Sequence, residues 1–174
     1  MPKIIENARE QLLAEAKKQV LACGYAATTV RSVASACGLG VGTVYNYFES
    51  KEMLIASFVY EDWKTHLDAM RRLPTEDPHA LLGGIYRSLR EFAEENRRLF
   101  SDADAAKRIA EGSSGRHKRL RDQIAAFVLP LCEARHLKDP GFTAGFIAEA
   151  LLCWSMEPVE FESVYPLFEK IIEE

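Results

Sequence analysis

The stretch Cys37–Leu54, CGLGVGTVYNYFESKEML, determines how the whole sequence is interpreted. It begins with three glycines at alternate positions, continues with three aromatic residues within four positions, and then reaches a charged segment. Glycines at this spacing either bind a phosphate in a loop or form the tight turn between two helices. The residues around the glycines decide between these two structures.

A nucleotide-binding loop needs features that this stretch lacks. Thr43 occupies the position of the third glycine in a G-x-G-x-x-G motif. The preceding segment carries Val30, Val33 and Cys37 at the spacing of a helix, whereas a dinucleotide-binding loop follows a strand. No G-x-x-x-x-G-K-[ST] motif occurs in the chain. We therefore predict that the glycines form the turn of a helix-turn-helix unit.

The segment after the turn, Val41–Phe48, is predicted to be a short helix with two different faces. On a helical wheel, apolar side chains occupy about one third of the circumference, and small or polar side chains lie on the other side. A helix that is packed behind and thin and polar in front can approach base edges in the major groove. The packed face comprises Val41, Val44, Tyr45 and Phe48, and the polar face comprises Gly42, Thr43, Asn46 and Tyr47.

The chemistry of the polar face suits DNA. Asn46 can pair bidentately with adenine, and Thr43 can contact thymine or phosphate. Gly42 has no side chain to hold the backbone away from the bases. Lys51 and the tyrosine hydroxyls can reach phosphates, which fix the register without reading the sequence. Two short helices around a glycine turn also occur as plain packing motifs, so the residues alone leave both interpretations open.

Apolar residues recur at helical spacing in nearly every segment, and no segment alternates as a strand does. We predict an all-α protein of about nine helices, including a short one over Phe100–Ala110, with a head over residues 1–52 and a second helical domain over 53–174. The net charge is −4, which excludes a nonspecific nucleic-acid binder. The head holds six Lys and Arg against five Glu, and the remainder holds 16 against 21 acidic residues, so any DNA binding must be local to the head.

Several classes of protein are not expected. The cysteines form no C-x-x-C pair and lie among apolar residues, which favours buried free thiols in a reducing cytoplasm. The histidines show no metal-ligand spacing, and no nucleophile–base pair is recognisable, so we expect no metal, no cofactor and no enzymatic activity. The start lacks a signal-peptide core, and no apolar run approaches the ~18 residues of a membrane span. We therefore expect a cytoplasmic protein without a membrane partner. The four cysteines are Cys23, Cys37, Cys132 and Cys153.

The segment Leu12–Leu54, about a quarter of the chain, resembles the N-terminal domain of the tetracycline-repressor-like (TetR) transcriptional regulators. The remaining helices resemble that family only in kind. The residues that carry the resemblance are Gly24-Tyr25, Thr29, Val33-Ala34, Gly38, Gly42-Thr43-Val44-Tyr45, Tyr47-Phe48, Ser50-Lys51-Glu52 and Leu54.

The resemblance implies a ligand-responsive regulator, most often a repressor, that binds a palindromic operator in double-stranded DNA as a homodimer. The N-terminal three-helix domain with its helix-turn-helix would bind DNA, and the two heads would enter successive major grooves about 34–36 Å apart. The C-terminal domain would bind a small-molecule effector and dimerise. The implied DNA-binding residues are Thr29 as the cap of the second helix, Arg31 on phosphate or base, Gly42, Thr43 and Asn46 facing the bases, and Tyr45, Tyr47 and Lys51 on the phosphate backbone.

The sequence departs from the family pattern at four positions. Gly40 replaces the usual Ser or Thr cap of the recognition helix, and Val41 replaces a residue that is commonly polar or basic. Gln19 and Val20 stand where Leu and Phe are frequent. These differences affect the expected operator sequence more than the fold.

Two features of the C-terminal domain bear on its role. The segment Phe146–Met156 is apolar nearly all round, so it needs partners on two sides, and we predict a dimer interface through the last two helices. A fully buried internal helix is the alternative. For the whole protein, the alternative is a helical small-ligand-binding or signalling protein whose head has lost DNA affinity. Candidates for an effector cavity, each of which can equally be plain core, are Trp63, His66, Met70, Tyr86, Phe92, Phe127 and Trp154.

Overall fold

The computed structural model of the chain describes residues 7–103, 105 and 115–173, and within these ranges all regular structure is helical. The predicted all-α class is confirmed. The helix predicted over Phe100–Ala110 lies mostly outside the described residues. In the described part of the chain, no helix has both the length and the apolar character that crossing a membrane requires. The helices are α1 Ala8–Cys23, α2 Val30–Ala36, α3 Val41–Tyr45, α4 Lys51–Met70, α5 Pro78–Glu95, α6 Arg97–Phe100, α7 Arg116–Ala134, α8 Pro140–Ser155 and α9 Phe161–Glu173.

The described residues form two compact units. The first combines residues 7–63 with 95–103 and 105, and the second combines 64–94 with 115–173. Helix α4 contributes to both units. These units are defined by packing and do not test the predicted boundary at residue 52 between a DNA-binding head and a second domain. That boundary stays a prediction.

The first unit is built around the apolar stripe of α1. Leu12, Ala16 and Val20 on this stripe are fully buried and pack in one core with Val33 of α2 and Val44 of α3. Burying a leucine or valine side chain contributes about 1.5–3 kcal/mol. A helix as short as α3 is not stable by itself in water, so its contacts with this core hold it in place.

The turn between α2 and α3 shows which of the two predicted structures Gly38 forms. Gly38 has φ 67°, in the left-handed region that other residues rarely adopt. The Leu39 amide donates to the Ala34 carbonyl at 2.8 Å, and the Gly38 amide donates to the Ser35 carbonyl at 3.1 Å. These two bonds close a Schellman motif, which ends α2 and starts the turn. Gly38 is therefore a turn glycine rather than part of a phosphate-binding loop.

Ion pairs join α1 to α4 within the first unit. The Arg9 guanidinium lies 3.2 Å from the Glu61 carboxylate, and the Lys17 ammonium lies 2.8 Å from the Asp62 carboxylate. The Arg98 guanidinium donates to two carbonyls at the end of α1, which would otherwise lack helical partners. Helix α1 is thus fixed by polar contacts at its edges as well as by its buried stripe.

In the second unit, α5 holds the connection between α8 and α9. The buried Tyr86 hydroxyl lies 2.7 Å from the carbonyl oxygens of both Trp154 and Val159, and the Arg90 guanidinium donates to the Val159 carbonyl at 2.7 Å. Burial raises the pKa of the Tyr86 hydroxyl, so it stays protonated and able to donate. The ends of α8 and α9 are therefore fixed to α5 by hydrogen bonds.

Replacing Gly38 by alanine tests the role of the turn. We expect Gly38→Ala to lower the free energy of unfolding by about 1 kcal/mol, since the left-handed conformation is costly for alanine. Gly42→Ala is the matched control, because a Cβ at Gly42 meets no heavy atom within 4 Å. Alanine there should raise the free energy of unfolding by about 0.5–1 kcal/mol. Urea denaturation followed by circular dichroism measures both, and changes of the same sign would contradict this account.

Candidate nucleic-acid interface

Helix α3 has a packed side and an open side, as predicted. Val44 is fully buried, and Phe48 is nearly so, in the core of the first unit. Gly42 and Asn46 are exposed and Thr43 is half-buried. The open side of the helix therefore offers bare backbone at Gly42 beside the amide of Asn46.

The predicted packing of Tyr45 is wrong. Its side chain is 52% exposed rather than packed on the preceding helices. Helix α3 ends at Tyr45, three residues earlier than predicted, but the Phe48 amide still donates to the Val44 carbonyl at 3.0 Å. The side of the segment that meets the core is centred on Val44 and Phe48, and Tyr45, at the margin of the apolar stripe, points away from it. Tyr45 and Tyr47 are both exposed next to the open side of α3.

Thr29 caps α2 through a reciprocal pair of hydrogen bonds. The Ser32 amide donates to Thr29 Oγ1, and the Thr29 amide donates to Ser32 Oγ, both at 3.0 Å. Thr29 and Arg31 are exposed at the start of the helix. A threonine hydroxyl that accepts a bond in this way keeps its own proton for donation.

Lys51 has a contact that the sequence did not predict. Its ammonium group donates to the Tyr25 carbonyl at 2.5 Å and lies 3.9 Å from the centre of the Tyr25 ring. The Tyr25 hydroxyl in turn donates to the Glu52 carboxylate at 2.8 Å. Lys51 therefore connects the loop after α1 to the start of α4, in addition to any contact with DNA.

Sequence reasoning also missed the role of Gln19. Its amide bridges the Glu15 carboxylate of α1 and the Ser32 hydroxyl of α2. The spacing of Thr29 and Ser32, three apart at a helix start, is a local signal for the cap. Nothing in the sequence indicates that Gln19 reaches that cap, because the contact depends on how α1 and α2 pack.

The proposed effector-cavity residues are divided between the units. Trp63 is buried in the first unit, and His66, Met70 and Tyr86 are buried in the second. The rings of His66 and Phe92 meet edge to face, with 5.6 Å between their centres. Tyr86 contacts the backbone of Trp154, whose own side chain is largely exposed. The half-buried Phe127 completes the set.

Helix α8 exposes one apolar side and buries the other. Phe142, Phe146 and Met156 are exposed on one side, and Cys153 lies exposed among them. The buried side, centred on Leu151, is on the opposite half of the helix. Among the described residues, α8 is thus covered on one side, while the other side exposes apolar residues around the half-buried Glu149.

The cysteines are free, as predicted, but only Cys132 is buried. Cys23 and Cys153 are exposed and Cys37 is half-buried, because apolar neighbours in sequence do not ensure a buried position. Within the described ranges, no three His, Cys, Asp or Glu side chains are grouped so that they could hold a metal ion.

Residues 12–58 match the family model of bacterial regulatory proteins, tetR family. A TetR/AcrR-family regulator from Thermobifida fusca shares 17% identity, with 97% of each chain covered and a TM-score of 0.62. A transcriptional regulator from Rhodococcus sp. Rha1 shares 16% identity over 95% of this chain and 92% of its own, with a TM-score of 0.61. The TetR-family repressor AlkX from Dietzia sp. shares 19% identity over 95% and 97%, with a TM-score of 0.59.

No curated protein matches the sequence at a significant level. The resemblance seen in Leu12–Leu54 is confirmed by the family model, and the structural neighbours extend the fold to the remaining helices. The chain therefore carries an N-terminal domain of the tetR family of bacterial regulatory proteins, within a TetR-like fold that extends over nearly its whole length.

Proposed function

We propose that the protein is a DNA-binding transcriptional repressor that binds a palindromic operator as a homodimer and responds to a small molecule. The observation that carries this proposal is the position of α3. Val44 and Phe48 hold it to the core, while Gly42 and Asn46 face outward. This arrangement is what a helix needs in order to enter a major groove and contact base edges.

Base reading is assigned to Thr43 and Asn46. The Asn46 amide has the donor and acceptor pair that matches adenine, and Thr43 offers a methyl and a hydroxyl group. The absence of a side chain at Gly42 lets the helix backbone come close to the base pairs. No enzymatic role is proposed, since the hydroxyl and amide groups of these side chains are assigned to hydrogen bonding with bases and not to a chemical reaction.

Phosphate contacts are assigned to the residues around this helix. Thr29 and Arg31 are exposed at the start of α2, and Tyr45 and Tyr47 are exposed beyond α3. Such contacts fix the register of the protein on the duplex and carry no sequence information. Lys51, at the start of α4, is also assigned to a phosphate.

Dimerisation is assigned to α8 and α9. The exposed apolar side of α8 lies opposite its buried side, and Leu167 is a further exposed apolar residue on α9. Isolated exposed apolar residues need no partner, but several of them on one side of a helix, here Phe142, Phe146 and Met156 around Glu149, favour an interface. A two-fold dimer would pair this surface with itself and give two heads for the two half-sites of a palindrome.

We infer that the effector binds in the second unit. His66 and Ser88 are buried polar residues in an apolar interior, which is the composition of small-molecule sites. An effector can release DNA only if it binds one arrangement of the dimer better than the other.

Variants of the open side of α3 test base reading. Thr43→Ala and Asn46→Ala should each relax the preference at one base pair, by about 1–3 kcal/mol. Tyr47→Phe, which removes only a hydroxyl, should weaken binding to all duplexes alike. Duplexes selected from a random library, followed by fluorescence anisotropy on single-position variants, measure these effects. If the wild-type protein shows no preference among the duplexes of the library, the ligand-binding or signalling alternative is favoured instead.

Lys51→Met tests two roles of one side chain. Loss of the contacts with Tyr25 should lower the free energy of unfolding by about 1–2 kcal/mol without DNA present. Loss of a phosphate contact should also reduce the slope of log affinity against log salt by about one unit. Lys138→Met, at an exposed lysine of the second unit, is the control for both measurements. An unchanged slope beside a lowered stability would restrict Lys51 to a structural role.

Phe146→Glu tests the dimer interface. Phe146 is 52% exposed, so the change should leave the subunit folded but place two carboxylates in the interface. We expect dimerisation to weaken by about 30-fold or more. Met53→Glu, at a residue of α4 that is 51% exposed, is the matched control and should not alter dimerisation. Sedimentation equilibrium measures both, and equal dissociation by the two variants would contradict the assignment.

A further inference from the structure

A polar network connects the interior-facing edge of α1 to the exposed start of α2. The Gln19 side-chain amide donates to the Glu15 carboxylate at 2.8 Å, and the Ser32 hydroxyl donates to the Gln19 carbonyl oxygen at 2.6 Å. Ser32 is also half of the cap with Thr29. The network therefore extends from the middle of α1 to the first residue that α2 presents to solvent.

The orientation of the Gln19 amide is determined by its neighbours. An ionised carboxylate accepts hydrogen bonds and cannot donate one, so the NH₂ group must face Glu15 and the oxygen must face Ser32. The bond from Gln19, assisted by Lys18 and opposed by partial burial, lowers the pKa of the Glu15 carboxyl. Glu15 is thus ionised near neutral pH, and it keeps the amide in one orientation.

This orientation directs the single proton of the Ser32 hydroxyl. Two acceptors lie within reach of Ser32 Oγ, the Gln19 oxygen at 2.6 Å and the Thr29 carbonyl oxygen at 2.9 Å. When the proton points to Gln19, a lone pair of Ser32 Oγ remains aimed at the Thr29 amide, and the Thr29 carbonyl is left to the Val33 amide at 3.0 Å. Without Gln19, the proton turns to the Thr29 carbonyl, which can accept it beside the Val33 amide, and the Ser32 hydroxyl loses its hydrogen bond to α1.

We propose that Gln19 is a positioning residue for DNA binding, which fixes the N-cap Thr29, and with it Arg31, through the Ser32 hydroxyl. The inference rests on the proposed function and adds to it a residue that does not itself touch DNA. The packing of α2 depends on Val33 and Ala34, which face away from this network into the core. Loss of Gln19 should therefore affect the geometry of the DNA-facing end more than the stability of the fold.

Gln19→Leu removes the network while keeping a side chain of similar length that favours helix. Gln11→Leu is the matched control, because Gln11 is an exposed glutamine two turns earlier on the same helix, outside the Glu15–Ser32 network. We expect Gln19→Leu to weaken operator binding about 3- to 10-fold, the value of one or two hydrogen bonds, and Gln11→Leu to leave it unchanged. Ser32→Ala should weaken binding to a similar degree. The double variant Gln19→Leu/Ser32→Ala should bind no worse than Ser32→Ala alone, because both act through the same hydroxyl.

A spectroscopic readout separates positioning from general destabilisation. In Gln19→Leu, the Thr29 amide proton should shift upfield and exchange faster with solvent, while amides in the core of α1 keep their wild-type exchange rates. A Gln19→Leu protein that binds the operator as the wild type does would overturn the inference and leave the proposed function intact. Wild-type protein that binds no selected duplex would overturn both. Weaker binding accompanied by faster exchange throughout the first unit would assign Gln19 to the fold instead.

Discussion

The DNA-facing part of the first unit depends on two side chains that enter the core, Val44 in one very short helix and Phe48 just beyond its end. Helix α3 spans Val41–Tyr45 and cannot persist alone, since forming a single helical turn costs more conformational entropy than its hydrogen bonds return. Val44 and Phe48 supply the missing stability by entering the core that α1 and α2 form. Because Val44 and Phe48 lie on one side, the opposite side does not have to pack against the core. The packing that stabilises α3 therefore also leaves a narrow outer surface that is available for contacts outside the subunit.

The features that were predictable from sequence are local or periodic. The packing of Val44 and Phe48 follows from helical spacing, and the turn at Gly38 follows from a glycine directly after a helix. Thr29 as a cap follows from its position before an apolar run. Each of these depends on residues within a few positions of one another, so a single sequence contains the information.

The features that were not predictable depend on how segments meet. A helical wheel places Tyr45 at the margin of the packed residues, but the helix turns Val44 and Phe48 to the core and the Tyr45 ring stays exposed. Lys51 donates to the carbonyl of Tyr25, 26 residues away, and Gln19 of α1 accepts a hydrogen bond from Ser32 of α2. The choice of partner in such contacts is set by the packing of α1 against its neighbours. Charge and polarity alone indicate only that a partner is needed.

The ion pairs between α1 and its neighbours also affect how the head would respond to ionic strength. Arg9 and Lys17 are matched by carboxylates of α4, and Lys18 lies near Glu15. Cations that are paired within the chain displace few counterions from a nucleic acid, so the salt dependence of DNA binding would rest on the proposed phosphate contacts of Arg31 and Lys51. Such a head would lose affinity with rising ionic strength only through the counterions that these few residues displace.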